Sequence, residues 1–397
     1  KQKLRDGNRA FYFADEKNLG YYKNLDFTAD DQKVAWKYDR DNPDIARLTL
    51  SKPLAPGERV RIATPFLLKI PASFSRLGHV GTSYQMTQWY PKPAVYDNRG
   101  WHAMPYLDMG EFYSEFGNFD VTITLPANYV VGATGMLQTL AETAFLNKKE
   151  LETREWFQKN PAKNAAEKLD TFPPSSPEMK TIRYLAEQVH DFAWFADKRF
   201  FVLKDQASLA SGKTVDCWAM FSQTEANLWQ KGAFYVRRSV EFYSKHVGEY
   251  PWPQATAVHS ALSAGGGMEY PMATLVTSGR SYGGLLSVTV HEAFHNWYYG
   301  VLATNESKYP WMDEGFTSYA QDYVLNALSS KPVSNPHAND IQRLAELHKN
   351  GVEEPLTTHA DHYQTNYCYG ISSYVKGSVF LMQLEYIVGK EAFWKGK

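Results

Sequence analysis

The sequence predicts a multi-domain α+β protein, with an N-terminal antiparallel β-sandwich or saddle-shaped sheet followed by a mainly helical catalytic domain. In the first half of the chain, short segments alternate hydrophobic and polar residues between turn residues. From about residue 223, apolar residues recur with the helical period instead. The length of 397 residues allows two or three domains. We therefore expect domains at 1–222 and 223–397.

The β half contains one strongly alternating segment and several weaker ones. Residues 119–126 alternate strictly, as a strand with one buried face should. We also expect strands at the segments that share this alternation, namely 46–50, 59–62, 181–185 and 199–203. Residues 141–178 interrupt the pattern with a segment rich in Lys and Glu and then a proline-rich stretch. We interpret them as an insertion of charged helix and loop.

Charge and composition exclude several classes of function. The chain has 42 basic and 43 acidic residues, a net charge of −1, without a basic cluster. Nucleic acid and anionic membrane are therefore not expected partners. No apolar run is long enough for a transmembrane helix. Cys217 and Cys368 are too few for a disulfide framework, and we expect both to be free.

The most informative segment is His291-Glu292-Ala293-Phe294-His295, followed after eighteen residues by Glu314. Two histidines four residues apart lie on one helical face and can share a metal ion. Glu292 lies on the same turn, where it can act as general base toward a metal-activated water. Glu314 supplies a third ligand, which leaves one position of a zinc site open. The alternative is that Glu314 only stabilises the start of its helix.

Two helices are expected to carry these ligands. Apolar residues from Leu285 to Val290 lead into the histidines, and Gly300 is the expected end of that helix. After Glu314, apolar residues recur at helical spacing from Phe316 to Ala327, which predicts a second amphipathic helix.

Further motifs resemble one family. Gly266-Gly267-Met268-Glu269-Tyr270 precedes the histidines, and Tyr374 follows Glu314 in Tyr374-Val375-Lys376-Gly377. Together with Trp311-Met312-Asp313-Glu314-Gly315-Phe316, these segments resemble zinc aminopeptidases of the aminopeptidase N type, which are gluzincins with a thermolysin-like metal domain.

The resemblance implies one Zn²⁺ per chain, held by His291, His295 and Glu314. It further implies that Glu269 binds the free α-amine of a peptide beside the glycine-rich strand Gly266, Gly267 and Met268. Tyr374 would stabilise the oxyanion of the tetrahedral intermediate. The family's helical C-terminal domain is missing from this sequence. Without these neighbours, Glu269 would be read as a surface residue and Tyr374 as half-buried packing.

The sequence departs from the family pattern at two places. Tyr270 replaces the usual Asn, which changes the shape expected for the first substrate pocket. The second amine-binding residue is not determined, because Gln85 and Gln88 are both candidates and a polar turn explains either equally well.

The predicted function is hydrolysis of the N-terminal residue from peptides, so the expected partner is a peptide with a free N-terminus. Two rivals stay open: a thermolysin-like endopeptidase, and a catalytically silent protein that retains the fold for binding. The resemblance to bacterial members favours a periplasmic, cell-envelope or secreted location over a cytoplasmic one. The sequence leaves the oligomeric state and the preferred first residue open.

Overall fold

The computed structural model describes residues 13–73, 75–104, 109–160, 171–260, 266–277 and 281–396. Strands dominate the first half and helices the second, which confirms the predicted α+β class. The strands before residue 198 are β1 (Tyr21–Lys23), β2 (Thr28–Ala29), β3 (Gln32–Lys33), β4 (Ala35–Tyr38), β5 (Ala46–Thr49), β6 (Ile62–Ala63), β7 (Leu67–Lys69), β8 (Gly78–Val80), β9 (Ser83–Met86), β10 (Val95–Asp97), β11 (Gly100–His102), β12 (Gly117–Pro126), β13 (Val130–Ala133), β14 (Met136–Leu137), β15 (Met179–Val189) and β16 (Trp194–Asp197).

The remaining strands and the helices form the second half, apart from one earlier helix. The strands are β17 (Phe200–Ser208), β18 (Thr214–Ser222), β19 (Gln254–His259), β20 (Gly267–Met268) and β21 (Ala273–Val276). The helices are α1 (Leu140–Lys159), α2 (Ala226–Trp229), α3 (Gly232–His246), α4 (Tyr282–Phe294), α5 (Pro310–Leu328), α6 (Ala338–Lys349), α7 (Asn366–Gly370), α8 (Gly377–Val388) and α9 (Lys390–Lys395). A π-helical turn, Ile371–Lys376, joins α7 to α8, and 3₁₀ turns occur at Glu16–Asn18, Gln223–Glu225 and Ala360–His362.

The segment that alternates most strictly in the sequence, 119–126, lies within the long strand β12. Its burial alternates along the strand, with Ile123 and Leu125 facing the core. β12 pairs antiparallel with β15, which pairs on its other side with β14. A second sheet has the strand order β13-β16-β9-β8. This half is therefore built from antiparallel sheets, as the alternation predicts.

The charged insertion begins with a helix, as its composition predicts. α1 has a row of ion pairs on its outer side, yet Leu146 and Thr153 are buried. Thr153 Oγ1 accepts a hydrogen bond from the Val202 backbone N–H at 3.0 Å, so the helix is anchored on β17 and is not fully solvated. Residues 161–170 of the predicted insertion lie outside the described residues.

The sheet of the second half crosses the predicted domain boundary. In the described part of the chain, its five strands have the order β17-β18-β19-β21-β20. β18, which ends at Ser222, pairs in parallel with β19, from Asp216 beside Gln254 to Met220 beside Val258. A domain boundary at residue 222 would separate these hydrogen-bonded strands, and the strand pairing therefore does not favour it. The boundary stays a prediction.

Helices α3 and α4 pack on this sheet, and α5 packs on α4. Helices α4 and α5 position the site. The apolar stretch 227–243 forms two helices, α2 and α3. The first residue of α3 is Gly232, and a larger residue would not fit there because an added Cβ would lie 2.9 Å from the Cβ of Ala219. The Tyr243 hydroxyl donates a hydrogen bond to the Val290 carbonyl at 3.1 Å and so joins α3 to α4. Cys217 and Cys368 are buried and unpaired, as expected. None of the helices that the structure describes has the length and hydropathy needed to cross a bilayer.

Asp340 should make the stability of the fold depend on pH. Burial and the nearby Asp322 carboxylate raise the pKa of Asp340 to about 6. Because the folded state then holds the proton more tightly than the unfolded chain, the stabilisation is complete below pH ~3.9 and is lost as the pH rises through 6. Asp340→Asn should therefore raise the free energy of unfolding at pH 7 by about 1–2 kcal/mol and have little effect near pH 4.

Urea unfolding of both proteins between pH 4 and 8 measures this difference. The control is Asp26→Asn, because the Asp26 side chain is 56% exposed. A difference between Asp340→Asn and the unsubstituted protein that does not change with pH would contradict the prediction.

Candidate metal centre and active site

The two histidines lie at the C-terminal end of α4. The helix ends at Phe294 and not near Gly300 as predicted, so His291 is in its last turn and His295 is the C-cap residue. His295 keeps helical backbone angles, which holds the two imidazole rings 4.8 Å apart. The chain turns away before Gly300 because the Trp297 N–H bonds to the Phe294 carbonyl, and Tyr299 has a positive φ of 120°. The predicted i, i+4 juxtaposition is therefore present on a shorter helix.

Glu314 is brought to the histidines by α5, which begins at Pro310. Its Oε2 atom lies 3.1 Å from His291 Nε2 and 3.4 Å from His295 Nε2. Two donors bound at about 2.0–2.1 Å with a tetrahedral angle between them lie about 3.3 Å apart. The spacing of these three side chains therefore fits a zinc ion. Burial would raise the pKa of Glu314, but the hydrogen bonds with the two imidazoles lower it below its usual value.

The other nitrogen of each imidazole is held by an acceptor, which fixes the ring. His295 Nδ1 lies 2.5 Å from Asp313 Oδ1, and His291 Nδ1 lies 3.0 Å from Gln321 Oε1. Because carboxylate and amide oxygens only accept, both Nδ1 atoms carry a hydrogen, and each Nε2 atom is left to donate to Glu314 or, once deprotonated, to bind a metal ion. Neither Asp313 nor Gln321 was predicted from the sequence, although Asp313 directly precedes Glu314 and Gln321 lies two helical turns after it.

Glu292 points to the strand beside the metal donors. A Cβ added to Gly267 would lie 2.5 Å from three Glu292 side-chain atoms, so only glycine fits there. Glu292 Oε2 is buried without a hydrogen-bond partner among the described residues. Burial and the nearby Glu269 carboxylate raise the pKa of Glu292 well above its usual value. This is the arrangement that lets a carboxylate accept and release a proton near neutral pH.

Glu269 follows β20 and joins the same cluster. One oxygen of Glu269, one of Glu292 and a ring nitrogen of His295 all lie within 4.8 Å of one another. Glu269 is 5% exposed, and its Oε1 atom has no partner in the described part of the chain. Gly266 has a positive φ of 74°, and Met268 is buried in the core beneath the strand. The glycine-rich strand thus lies at the site, and the Met268 side chain faces the interior.

Tyr374 lies in the π-helical turn, an irregular helix often found at functional sites. Its ring stacks 5.8 Å from that of His291, and its hydroxyl donates a short hydrogen bond to Glu314 Oε1. Burial and the Glu314 carboxylate raise the pKa of Tyr374, so the hydroxyl stays protonated. In this arrangement the hydroxyl is beside the metal donors, although its hydrogen is directed at Glu314.

The two glutamine candidates have different surroundings. Gln88 Oε1 accepts a hydrogen bond from the Tyr270 hydroxyl at 3.0 Å, and Gln88 has a positive φ of 45°. Gln85 lies on β9 opposite Phe195, whose ring is 6.1 Å from that of Tyr270. Gln85 is 4% exposed, and its Oε1 atom lacks a partner among the residues described. Gln88 is therefore engaged by Tyr270, the residue that replaces the family's Asn, whereas the Gln85 oxygen is available.

Two more acids belong to the cluster and were not found from the sequence. Glu306, on the loop between α4 and α5, is 1% exposed, and burial with the nearby Asp313 raises its pKa well above the usual value. Glu111 comes from the N-terminal half and forms a 2.5 Å ion pair with Arg76. Burial raises the pKa of Glu111 to about 7. Neither residue belongs to a recognisable motif, because the fold alone brings them to the metal donors.

A comparison with known families agrees with this geometry. Residues 235–397 match the model of the peptidase family M1 domain. The matched segment includes the proposed metal donors and lies entirely in the helical half of the chain. Over 157 residues it is 33% identical to mouse aminopeptidase B and 32% identical to the human protein. These matches cover 37% of this chain and 24% of each relative, so the chain corresponds to about a quarter of their length.

Solved structures show the fold over nearly the whole chain. An M1 zinc metallopeptidase from Deinococcus radiodurans superimposes with a TM-score of 0.61 at 19% identity, over 95% of this chain and 75% of that protein. Legionella pneumophila aminopeptidase A superimposes with a TM-score of 0.61 at 13% identity, over 97% of this chain and 41% of that one. The M1 fold thus includes the N-terminal β half as well as the region that the family model matches.

Asp313 should control metal affinity through His295. Asp313→Ala leaves His295 Nδ1 without its carboxylate, so the ring loses its orientation and basicity. We expect zinc affinity to fall about 10- to 100-fold, with a smaller loss in Asp313→Asn, which keeps an acceptor oxygen. Competition with a fluorescent zinc chelator measures the affinity.

The matched control is Asp322→Ala, which removes the carboxylate from an Asp–His pair of 2.8 Å with His337, outside the metal donors. Equal losses of zinc affinity in the two alanine variants would show that Asp313 acts through general stability only.

Proposed function

We propose that this chain is the catalytic part of a zinc-dependent aminopeptidase that removes the N-terminal residue from peptides, with one zinc ion per chain. The observation that carries the proposal is the position of Glu269. This buried carboxylate has an unpartnered oxygen and lies within 4.8 Å of Glu292 and His295. A cation bound to Glu269 therefore lies close to the metal donors. The free α-amine of an N-terminal residue occupies such a position when the peptide bond that follows this residue is cleaved at the metal.

The proposed zinc ligands are His291, His295 and Glu314. When bound, zinc supplies Lewis acidity, which lowers the pKa of water and polarises the scissile carbonyl. Glu292 accepts the proton from the attacking water and delivers it to the leaving amine. Its raised pKa makes Glu292 a stronger base toward the attacking water than an ordinary carboxylate. Gly267 keeps Glu292 in place by leaving room beside it.

Tyr374 donates its hydroxyl hydrogen to the oxygen that becomes negative in the tetrahedral intermediate. For this step the hydrogen bond to Glu314 must be exchanged for one to the substrate. Glu269 binds the α-ammonium, and Gln85, whose amide oxygen is unpartnered among the described residues, is the better candidate for a second acceptor than Gln88. The charged contact fixes which peptide bond meets the metal.

The proposed exopeptidase activity predicts a strong requirement for a free amine. Leucine 4-nitroanilide should be cleaved, and N-acetyl-leucine 4-nitroanilide should be cleaved at least about 100-fold more slowly, because acetylation removes the charge that Glu269 binds. Glu269→Gln should remove most of this discrimination by slowing only the free-amine substrate. Equal cleavage of both substrates, or cuts within a long blocked peptide, would favour an endopeptidase. Absence of any cleavage by the zinc-loaded protein would favour the silent scaffold.

Glu292 should be essential for turnover but not for metal binding. Glu292→Gln should retain one zinc per chain, by elemental analysis, and lose turnover by about 1,000-fold or more, since the base is absent. Gly267→Ala should also retain zinc and lower kcat, because the added Cβ displaces Glu292. The control is Gly283→Ala on the same helix as His291, where the nearest atom is 4.0 Å from the added Cβ. Loss of zinc in Glu292→Gln would make Glu292 a ligand and contradict its role as base.

A further inference from the structure

Glu306 is a buried carboxylate for which the proposed mechanism has no use. It is 1% exposed, and its Oε1 atom has no hydrogen-bond partner among the residues that the structure describes. Glu269, at 5% exposed, has an unpartnered Oε1 atom as well. A buried polar oxygen without a hydrogen-bond donor is costly, so two of them side by side indicate a missing partner that donates hydrogen bonds.

The distance between the two carboxylates indicates how many cations fit. An oxygen of Glu306, one of Glu269 and one of Asp313 all lie within 4.8 Å of one another. An ammonium nitrogen forms charge-assisted hydrogen bonds of about 2.7–2.9 Å to carboxylate oxygens. A single nitrogen can therefore contact two oxygens that are separated by up to about 5.6 Å. The gap therefore fits one ammonium group between Glu269 and Glu306.

Two neighbouring acids of the cluster have a basic partner within the protein. Arg76 forms an ion pair with Glu111, and His295 forms one with Asp313. In the described ranges, neither Glu269 nor Glu306 forms an ion pair with a lysine, an arginine or a histidine. Glu269 and Glu306 thus each keep an unpartnered oxygen that a ligand can contact.

The loop that carries Glu306 is held in place, so the carboxylate is positioned before a ligand binds. The N–H groups of Lys308 and Tyr309 bond to the Asn305 carbonyl, and the Ala360 N–H bonds to the Ser307 carbonyl at 2.8 Å. The Ser307 hydroxyl donates to the Glu111 carbonyl at 2.7 Å, which joins the loop to the N-terminal half. A fixed acceptor reduces the entropy lost when a substrate binds.

We propose that Glu306 binds the α-ammonium of the substrate together with Glu269, an assignment that rests on the proposed aminopeptidase function. The ammonium has three hydrogens, so it can donate to both carboxylates and retain one hydrogen for a further acceptor. Glu306 is then a determinant of exopeptidase specificity, and it lies on the loop between the helices that carry the metal donors. Because every unblocked peptide has this group, the contribution of Glu306 is independent of the first side chain.

Binding to a slow background variant tests the assignment without relying on turnover. In zinc-loaded Glu292→Gln, calorimetry measures the affinities of L-leucinamide and N-acetyl-L-leucinamide. Adding Glu306→Gln should weaken L-leucinamide about 10-fold or more and leave the acetylated compound nearly unchanged, because only the free amine is charged. If Glu306→Gln folds poorly, Glu306→Asp keeps the charge on a shorter side chain and should bind L-leucinamide more tightly than the Gln variant.

The matched control is Asp340→Asn in the same background, which removes a buried carboxylate outside the cluster and should not change either affinity. With alanine, leucine and arginine 4-nitroanilides, Glu306→Gln alone should lower kcat/KM by similar factors. A loss confined to arginine would mark a side-chain site, and loss of a second bound metal would mark a cation site. Either result, or unchanged L-leucinamide binding, overturns the assignment.

The design separates this assignment from the proposed function. If the unsubstituted protein cleaves none of the nitroanilides, the proposed function fails whatever Glu306 does. If it cleaves them and discriminates against acetylated substrate while Glu306→Gln binds L-leucinamide normally, only the assignment of Glu306 fails. If both activity and the expected loss of binding are found, the two proposals stand together.

Discussion

The convergence of the His291 and His295 Nε2 atoms on one oxygen of Glu314 is the constraint on which the rest of the site depends. The separations of 3.1 and 3.4 Å require α4 and α5 to pack at one fixed offset. Asp313 and Gln321 fix the orientation of the two imidazole rings by accepting hydrogen bonds from their Nδ1 atoms. Gln321 also donates to the Ser287 carbonyl and hydroxyl, so the same side chain joins the two helices and orients a ring. Helix packing and ligand geometry are thus fixed by the same contacts.

The packing of α4 against α5 also concentrates acidic side chains around the two histidines. Glu314, Glu292 and Glu269 lie beside the histidines, and Glu306 and Asp313 lie behind them. Burial strengthens every interaction among these groups, so their protonation is mutually dependent. Zinc and an ammonium group are the positive charges that would relieve the repulsion, one at each end of the cluster. A site of this kind favours substrates with a free amine because the protein has already placed the anions without their cations.

The sequence predicted that His291 and His295 lie side by side because a helix converts a spacing of four residues into a shared face. It predicted β12 for the similar reason that a strand converts alternation into one buried face. It missed the end of α4, because Gly300 is a weaker local signal than the turn at Trp297 and Tyr299, which depends on tertiary contacts. The sheet that crosses residue 222 was also missed, since parallel pairing of β18 with β19 leaves no local pattern. A local sequence pattern thus predicts a helix or a strand, but it does not determine which other helices or strands that segment packs against.

Glu111 and Glu306 show the same limit within the site. Each reaches the cluster through contacts that join distant segments, such as the hydrogen bond from Ser307 to the Glu111 carbonyl. Gln85 and Gln88 could not be distinguished from the sequence, because the difference between them is the Tyr270 hydroxyl, 182 residues away from Gln88. Residues that carry the reaction are recognisable by spacing, whereas residues that tune binding are assembled by the fold.

Two glycines show how closely the fold must pack to place Tyr374. A Cβ added to Gly315 would lie 2.8 Å from the Gly377 Cα, and one added to Gly377 would lie 2.7 Å from the Gly315 Cα. Gly315 directly follows Glu314, and Gly377 ends the π-helical turn that carries Tyr374. The backbones of α5 and α8 can therefore approach only because both positions lack a side chain. That approach brings the Tyr374 hydroxyl to Glu314, so the position of the proposed oxyanion donor depends on the absence of two methyl groups beside it.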